Sequence, residues 1–201
     1  MNHNMSQINQ ILEKLSRIDY IKPGEIPNIE LYMDQVTTFM DSHLAHSKRY
    51  EDDKILTKTM INNYAKNKLL PPPAKKKYTK DHMLLLIFIY YFKSFLSIND
   101  IQALLAPVCD RYFGGKDGIS LEDVYEEVFS MKKEQLNALV QDVKQKFETA
   151  DDTFENLPEE EREPMRMFSF ICTLAFDVYV KKQIIESLID EMAAGKNMQE
   201  K

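Results

Sequence analysis

The sequence predicts a mainly α-helical protein, a winged helix-turn-helix domain joined to a C-terminal helical region. Three observations carry that expectation. Apolar residues recur at three- and four-residue spacing along most of the 201-residue chain. A lysine-rich, proline-led segment follows a helix whose outer face is polar. Five Gly, two Cys, 29% charged and 44% hydrophobic residues exclude collagen-like, disulfide-scaffold and wholly disordered chains.

Taken in order, Ile8, Ile11, Leu12, Leu15 and Ile18 form the apolar stripe of a short N-terminal helix that Ser6 can cap. Pro23-Gly24 and Pro27 interrupt it. Asn28 is placed to cap a second helix through Tyr32, Val36, Phe39 and Met40 to about Leu44, and the polar stretch 43–53 reads as an exposed loop. A third helix is expected from about Thr57 to Lys68. Ile61, Tyr64, Ala65 and Leu69 share one side of it, while Lys58, Asn62 and Lys66 form an i, i+4, i+8 row opposite, flanked by Thr59 and Asn63. Pro71-Pro72-Pro73 ends that helix, because proline lacks a backbone donor and disfavours helical geometry before it. Pro73 to Tyr78 is then a stiff basic excursion with room for a short strand pair.

Thr79 caps an apolar helix, 80–95, whose ten-residue core from Met83 to Phe92 is too short to cross a bilayer. Ser97-Ile98-Asn99-Asp100 has capping-box spacing for a helix ending near Pro107. Gly114, Gly115 and Gly118 mark a hinge. Ser120-Leu121-Glu122-Asp123 is a second capping box, opening a helix with Leu121, Val124, Val128, Met131, Leu139, Val143 and Phe147 inside; 151–156 is a loop. Pro158 and Glu159–Glu161 start the last helix, with a restart at Pro164. Its apolar row (Phe168, Ile171, Ala175, Val178, Ile185, Ile189, Met192) is broadened by Phe170, Leu174, Phe176 and Ile184, which suits a core element or a dimer interface.

The charge is distributed unevenly. The chain carries 26 Lys and Arg against 32 Asp and Glu, a net of −6, yet residues 54–80 hold eight lysines and no carboxylate. Such a basic island creates a local positive field suited to a polyanion. Cys109 and Cys172 lack metal-ligand spacing and fit a reducing compartment. The start of the chain has no basic region followed by an apolar stretch, so a cytoplasmic protein without a signal peptide is expected. His43 and His46, with Glu51, Asp52 and Asp53, read as exposed polar residues, and Gly114–Gly118 reads as a turn. No paired acid and base, nucleophile or cofactor motif appears, so no enzyme, catalytic residue, cofactor or metal is expected.

Helix, polar turn, helix with an outward Lys/Asn/Thr row, basic hairpin, apolar helix, capped helix: that order is the order of a winged helix-turn-helix. Met60 to Pro72, Lys75-Lys76-Lys77-Tyr78 and Leu96-Ser97-Ile98-Asn99-Asp100-Ile101 also resemble the DNA-binding domain of the mercury-resistance-regulator (MerR) superfamily. The stretch from Leu31 to Leu105 is similar to an uncharacterised bacterial domain-of-unknown-function family regarded as MerR-like. Lys68 stands where the superfamily usually has Gly. Asn62 stands where it often has Arg, and the loop 45–54 is longer than its usual tight turn. The resemblance covers about residues 27–108 and implies a dimeric transcriptional regulator with an effector-sensing region.

The expected organisation is therefore an N-terminal helix (1–26), a MerR-like winged helix-turn-helix (27–108), a hinge (109–119) and a C-terminal helical domain (120–201) for dimerisation or effector binding. In the expected DNA complex, Asn62 and Asn63 face base edges, and Lys58, Thr59 and Lys66 contact phosphates. Lys75, Lys76, Lys77 and Tyr78 clamp the flanking backbone as the wing. The expected partners are double-stranded DNA, a second copy through the C-terminal helices, and a small-molecule or protein effector; no membrane is expected. The alternative is a helical protein-interaction module that keeps the helix-turn-helix shape and binds an acidic surface.

Overall fold

The structure, a computed structural model, describes residues 2–16, 20–115, 118–130 and 132–199. It is mainly helical, as the periodicity predicts. Two compact units are present: one comprises Ile18–Phe129 and Leu188–Lys201, the other Met1–Arg17 and Ser130–Ser187.

In the first unit, β1 (Leu31–Tyr32) leads directly into α2 (Met33–Leu44), followed by α3 (Lys58–Lys66), β2 (Lys77–Tyr78), α4 (Lys80–Phe92), α5 (Ile98–Tyr112) and α6 (Leu121–Ser130). The two strands pair antiparallel, Leu31 opposite Tyr78 and Tyr32 opposite Lys77. That pairing moves the start of α2: the helix begins after Tyr32, whose N–H donates to the Gln35 carboxamide oxygen at 2.8 Å, and not at Asn28. The core forms around α4. Every residue from His82 to Ile89 is buried, so the helix is apolar all round and covered on all sides. Val36, Met40 and Leu44 of α2, Ile61 and Tyr64 of α3, Ile101 and Leu105 of α5, and Leu121 and Tyr125 of α6 are buried with it.

The sequence-level caps form as expected at Ser97 and Ser120. Asp100 N–H donates to Ser97 Oγ at 3.2 Å and Ser97 N–H to the Asp100 carboxylate at 3.1 Å. The Ser120–Asp123 pair repeats this at 2.7 and 3.1 Å. Two expected helix breaks do not occur. α5 runs through Pro107 to Tyr112, where Phe113 N–H caps the Cys109 carbonyl at 3.1 Å. Pro107 removes one ladder bond, and buried Ile101 and Leu105 hold the helix against that loss. The expected hinge at 109–119 also lies inside this one compact unit, because Gly114 N–H donates to Asp81 at 2.7 Å and Lys80 pairs with Glu122 at 2.8 Å.

The second unit consists of α1 (Asn2–Ser16), α7 (Lys132–Asp151) and most of α8 (Glu159–Gln199). The single helix expected from 121 onward is thus two, α6 and α7, and α8 is continuous through Pro164. Ile8, Leu12, Phe147, Ala150 and Phe170 form a small core, with Val140, Val143, Met167 and Leu174 packed against it. Lys146 bridges α7 to α8, 2.5 Å from Asp142 and 2.6 Å from Asp177. Val128 and Leu139, expected inside, are 47% exposed. Met131 and Ile18 lie outside the described residues, as does the side chain of Leu15.

Candidate nucleic-acid interface

α3 is short because its two ends are fixed by separate devices. At the start, Thr57 Oγ1 accepts the Met60 N–H at 3.2 Å. At the end, Leu69 N–H returns to the Tyr64 carbonyl at 2.9 Å and Lys68 N–H to Ala65 at 3.2 Å, the pattern of a Schellman cap. That cap requires a left-handed residue, and Lys68 supplies it at φ 58°. Buried Leu69 and Leu70 then anchor the turn. Ile61 and Tyr64 point inward, so Lys58, Thr59, Asn62, Asn63 and Lys66 are all exposed, on the side the spacing predicts.

The basic segment closes as a tight hairpin. Lys77 N–H donates to the Ala74 carbonyl at 2.9 Å, with Lys75 at φ 50° and Lys76 at φ 64°. Two successive left-handed residues define a type I′ turn, normally built from Asn-Gly or similar pairs. A side chain in that conformation costs on the order of 1 kcal/mol. Lys68, Lys75 and Lys76 thus all occupy strained backbone positions within nine residues, and all three side chains are exposed.

His82 ties the two ends of this surface together. Its Nε2–H donates to the Pro71 carbonyl at 3.2 Å, and Nδ1 accepts the Thr79 N–H at 3.0 Å. Pro71 follows α3 and Thr79 follows the hairpin, so one neutral imidazole holds both. Tyr78 and Phe113 meet it edge-on, with centroids 5.5 and 4.8 Å away. Burial holds the His82 pKa below the usual imidazole value, opposed by the Pro71 hydrogen bond.

The structure divides the residues expected at the interface. Lys66, Lys75 and Lys76 are exposed and, among the described residues, have no carboxylate partner; Lys54 and Lys68 share that property. Lys58 pairs with Asp34, and Lys77 lies 3.3 Å from Glu30 and 5.7 Å over the Tyr32 ring. Tyr78 is 3% exposed, and burial raises its pKa. It therefore sets the wing on the core, and its ring is not at the surface. Lys68 and Tyr32 are the residues that sequence reasoning left out. The signal for Lys68 was present, a lysine at the glycine position of a helix end. Tyr32, 56% exposed beside Lys77, gave none, since only strand pairing brings it to the wing.

Among the described residues no group of three or more His, Cys, Asp or Glu could hold a metal ion. No helix among them is long and apolar enough to cross a membrane.

Residues 21–128 match a family described as a domain of unknown function, DUF1836. The chain belongs to the DUF1836 family. No curated protein and no solved structure matches it. The DUF1836 match follows the compact unit Ile18–Phe129 closely, so the domain reaches beyond 108 to take in the glycine turn and α6. Tyr125 of α6 shows why: its hydroxyl donates to the Ile21 carbonyl at 2.8 Å, joining both ends of the DUF1836 domain. Its ring packs on Phe88 of α4 at 5.3 Å.

Proposed function

We propose that the DUF1836 domain of this chain is a winged helix-turn-helix of MerR-like kind that binds duplex DNA, and that the chain is a transcriptional regulator. One observation carries the reading: three exposed lysines, Lys68, Lys75 and Lys76, stand at left-handed positions where Gly or Asn would cost less, within ten residues after a helix with an exposed Lys/Asn/Thr face. Strain kept at the surface points to a role outside the fold. In this reading α3 enters the major groove, Asn62 and Asn63 meet base edges, and Thr59 and Lys66 hold phosphates. The Lys75-Lys76 turn and Lys68 flank the helix as phosphate contacts. Lys58 and Lys77 contribute less, since Asp34 and Glu30 already neutralise them.

Those same two ion pairs support a second reading, in which the surface receives carboxylates of a partner protein. One experiment separates the two. The full chain is titrated against a duplex of about 30 base pairs at roughly 50 and 200 mM salt, beside Lys75→Gly/Lys76→Gly. Glycine removes the charge and the strain together. DNA binding should weaken and its log-log salt slope should fall by about 2. The variant should meanwhile be more stable by about 1 kcal/mol, which excludes misfolding as the cause. No salt-dependent binding by the parent chain at the lower salt overturns the DNA reading and leaves the acidic-protein one.

A further inference from the structure

A cavity of about 470 Å³ opens in the first unit between the end of α3 and one face of α5. That volume lies within the roughly 300–1,000 Å³ of small-molecule sites. Buried Leu69 and Leu70 and half-buried Pro71 form its apolar floor. Two devices fix that floor in place: the Schellman turn that follows Tyr64, and the His82 hydrogen bond to the Pro71 carbonyl.

Lys66 and Lys68 line the α3 side. On the α5 side, Gln102, Ala106 and Asp110 follow at four-residue steps, so all three share one helix face. Ala106 is the smallest of them and leaves the space open. The fold does not use the polar groups around it. Among the described residues, the side chains of Lys66, Lys68, Gln102 and Asp110 have no hydrogen-bond or ion-pair partner. Opposite charges thus line two sides of one apolar gap without pairing.

We propose that this cavity binds an α-amino acid with a large apolar side chain. The ligand carboxylate accepts hydrogen bonds from the Lys66 and Lys68 ammoniums. Its own ammonium donates to the Asp110 carboxylate and the Gln102 carboxamide oxygen, and its side chain covers Leu69 and Pro71. An apolar acid without an amine would set nothing against Asp110, and an apolar amine would meet two ammoniums. A zwitterion satisfies both sides. The site is built wholly from DUF1836 residues, away from the C-terminal region expected to take an effector. Lys66 and Lys68 are also phosphate contacts in the DNA reading, so on that reading a bound amino acid competes with the duplex. Binding itself does not rest on it.

The chain contains no tryptophan, so L-tryptophan serves as both ligand and probe. Titrating it with the full chain should shift the indole emission to the blue and raise its anisotropy, with a Kd on the order of 0.1–1 mM. Tryptophanamide lacks the carboxylate and indole-3-propionate lacks the amine. Each should bind about tenfold more weakly. Lys68→Gly should shrink the penalty for the amide, and Asp110→Asn that for the propionate. Glycine relieves the left-handed backbone of Lys68, and Asp110 is exposed, so neither change reports misfolding. Ala106→Leu keeps every charge, fills the cavity and should abolish binding. Indole-3-propionate binding as tightly as L-tryptophan would overturn the zwitterion. Unchanged affinity in Ala106→Leu would overturn the cavity. No change in emission or anisotropy with the chain at about 1 mM would overturn the site altogether. DNA is absent from every arm, so this result and the salt titration succeed or fail separately.

Discussion

α4 and α8 are both rich in large apolar residues, and they end in opposite circumstances. In α4 eight consecutive residues, His82 to Ile89, are buried by strands, helices and loops of the same unit. In α8 one side is covered while Phe168, Ile171, Phe176 and Tyr179 face solvent. Apolar content alone does not distinguish a helix buried all round from one covered on a single side. What distinguishes them is whether the same chain supplies cover on every side.

The contrast is broken most directly at α4. Leu85→Ala, at a fully buried position, should cost about 2–5 kcal/mol in urea unfolding, the lost transfer energy plus the cavity left behind. A cost below 1 kcal/mol would mean that the first unit's core lies elsewhere.

The next effect is pH-dependent. Burial holds the His82 pKa below that of the unfolded chain, so the unfolded state binds more protons just below pH 6.5. The neutral ring's contribution is fully present above about pH 6.5 and is lost as pH falls toward the lowered folded pKa, by at most about 1.4 kcal/mol per pH unit. Denaturant titrations between pH 5 and 8 should show this slope in the parent and not in His82→Gln. A smaller loss, about 1 kcal/mol, is expected for Tyr125→Phe, which leaves the Ile21 carbonyl unpaired. Hydrogen exchange at residues 20–26 reports it locally.

Smallest of all should be Phe176→Ala in α8, within about 0.5 kcal/mol of the parent when unfolding is measured at high dilution. A large cost there would show that the side chain is covered within the chain and would erase the contrast with α4.

Several features were legible because they depend on local chemistry. Ser97 and Ser120 cap helices because a hydroxyl one residue before a helix meets orphan N–H groups wherever the rest of the chain lies. The outward face of α3 followed from spacing, since Ile61 and Tyr64, three residues apart, share a side and are its buried residues. The prolines misled for the complementary reason. Pro107 and Pro164 weaken a helix locally, yet α5 and α8 continue through them, and whether a helix survives one missing bond is settled by what it packs against.

At the candidate interface, Asn62, Asn63, Lys66, Lys75 and Lys76 could be placed on the surface from the sequence. The neutralisation of Lys58 and Lys77 could not, because Asp34 and Glu30 reach them only through the β1–β2 pairing and the α2–α3 packing. Tyr78 reads in sequence as the aromatic end of a basic run, but pairing with Leu31 turns it inward onto His82.

By itself the sequence determined the mainly helical class, the apolar helix that became the core, the basic island in an acidic chain and the caps at Ser97 and Ser120. These depend on composition, on period and on groups a few residues apart. The expected caps at Ser6 and Asn28 do not form, since Ser6 lies inside α1 and α2 starts after Tyr32. Tertiary structure decided which lysines keep an unpaired charge, that α6 completes the DUF1836 domain, and that one face of α8 is left bare. Each of those rests on residues distant in sequence meeting, or failing to meet, and no local pattern encodes such a distance.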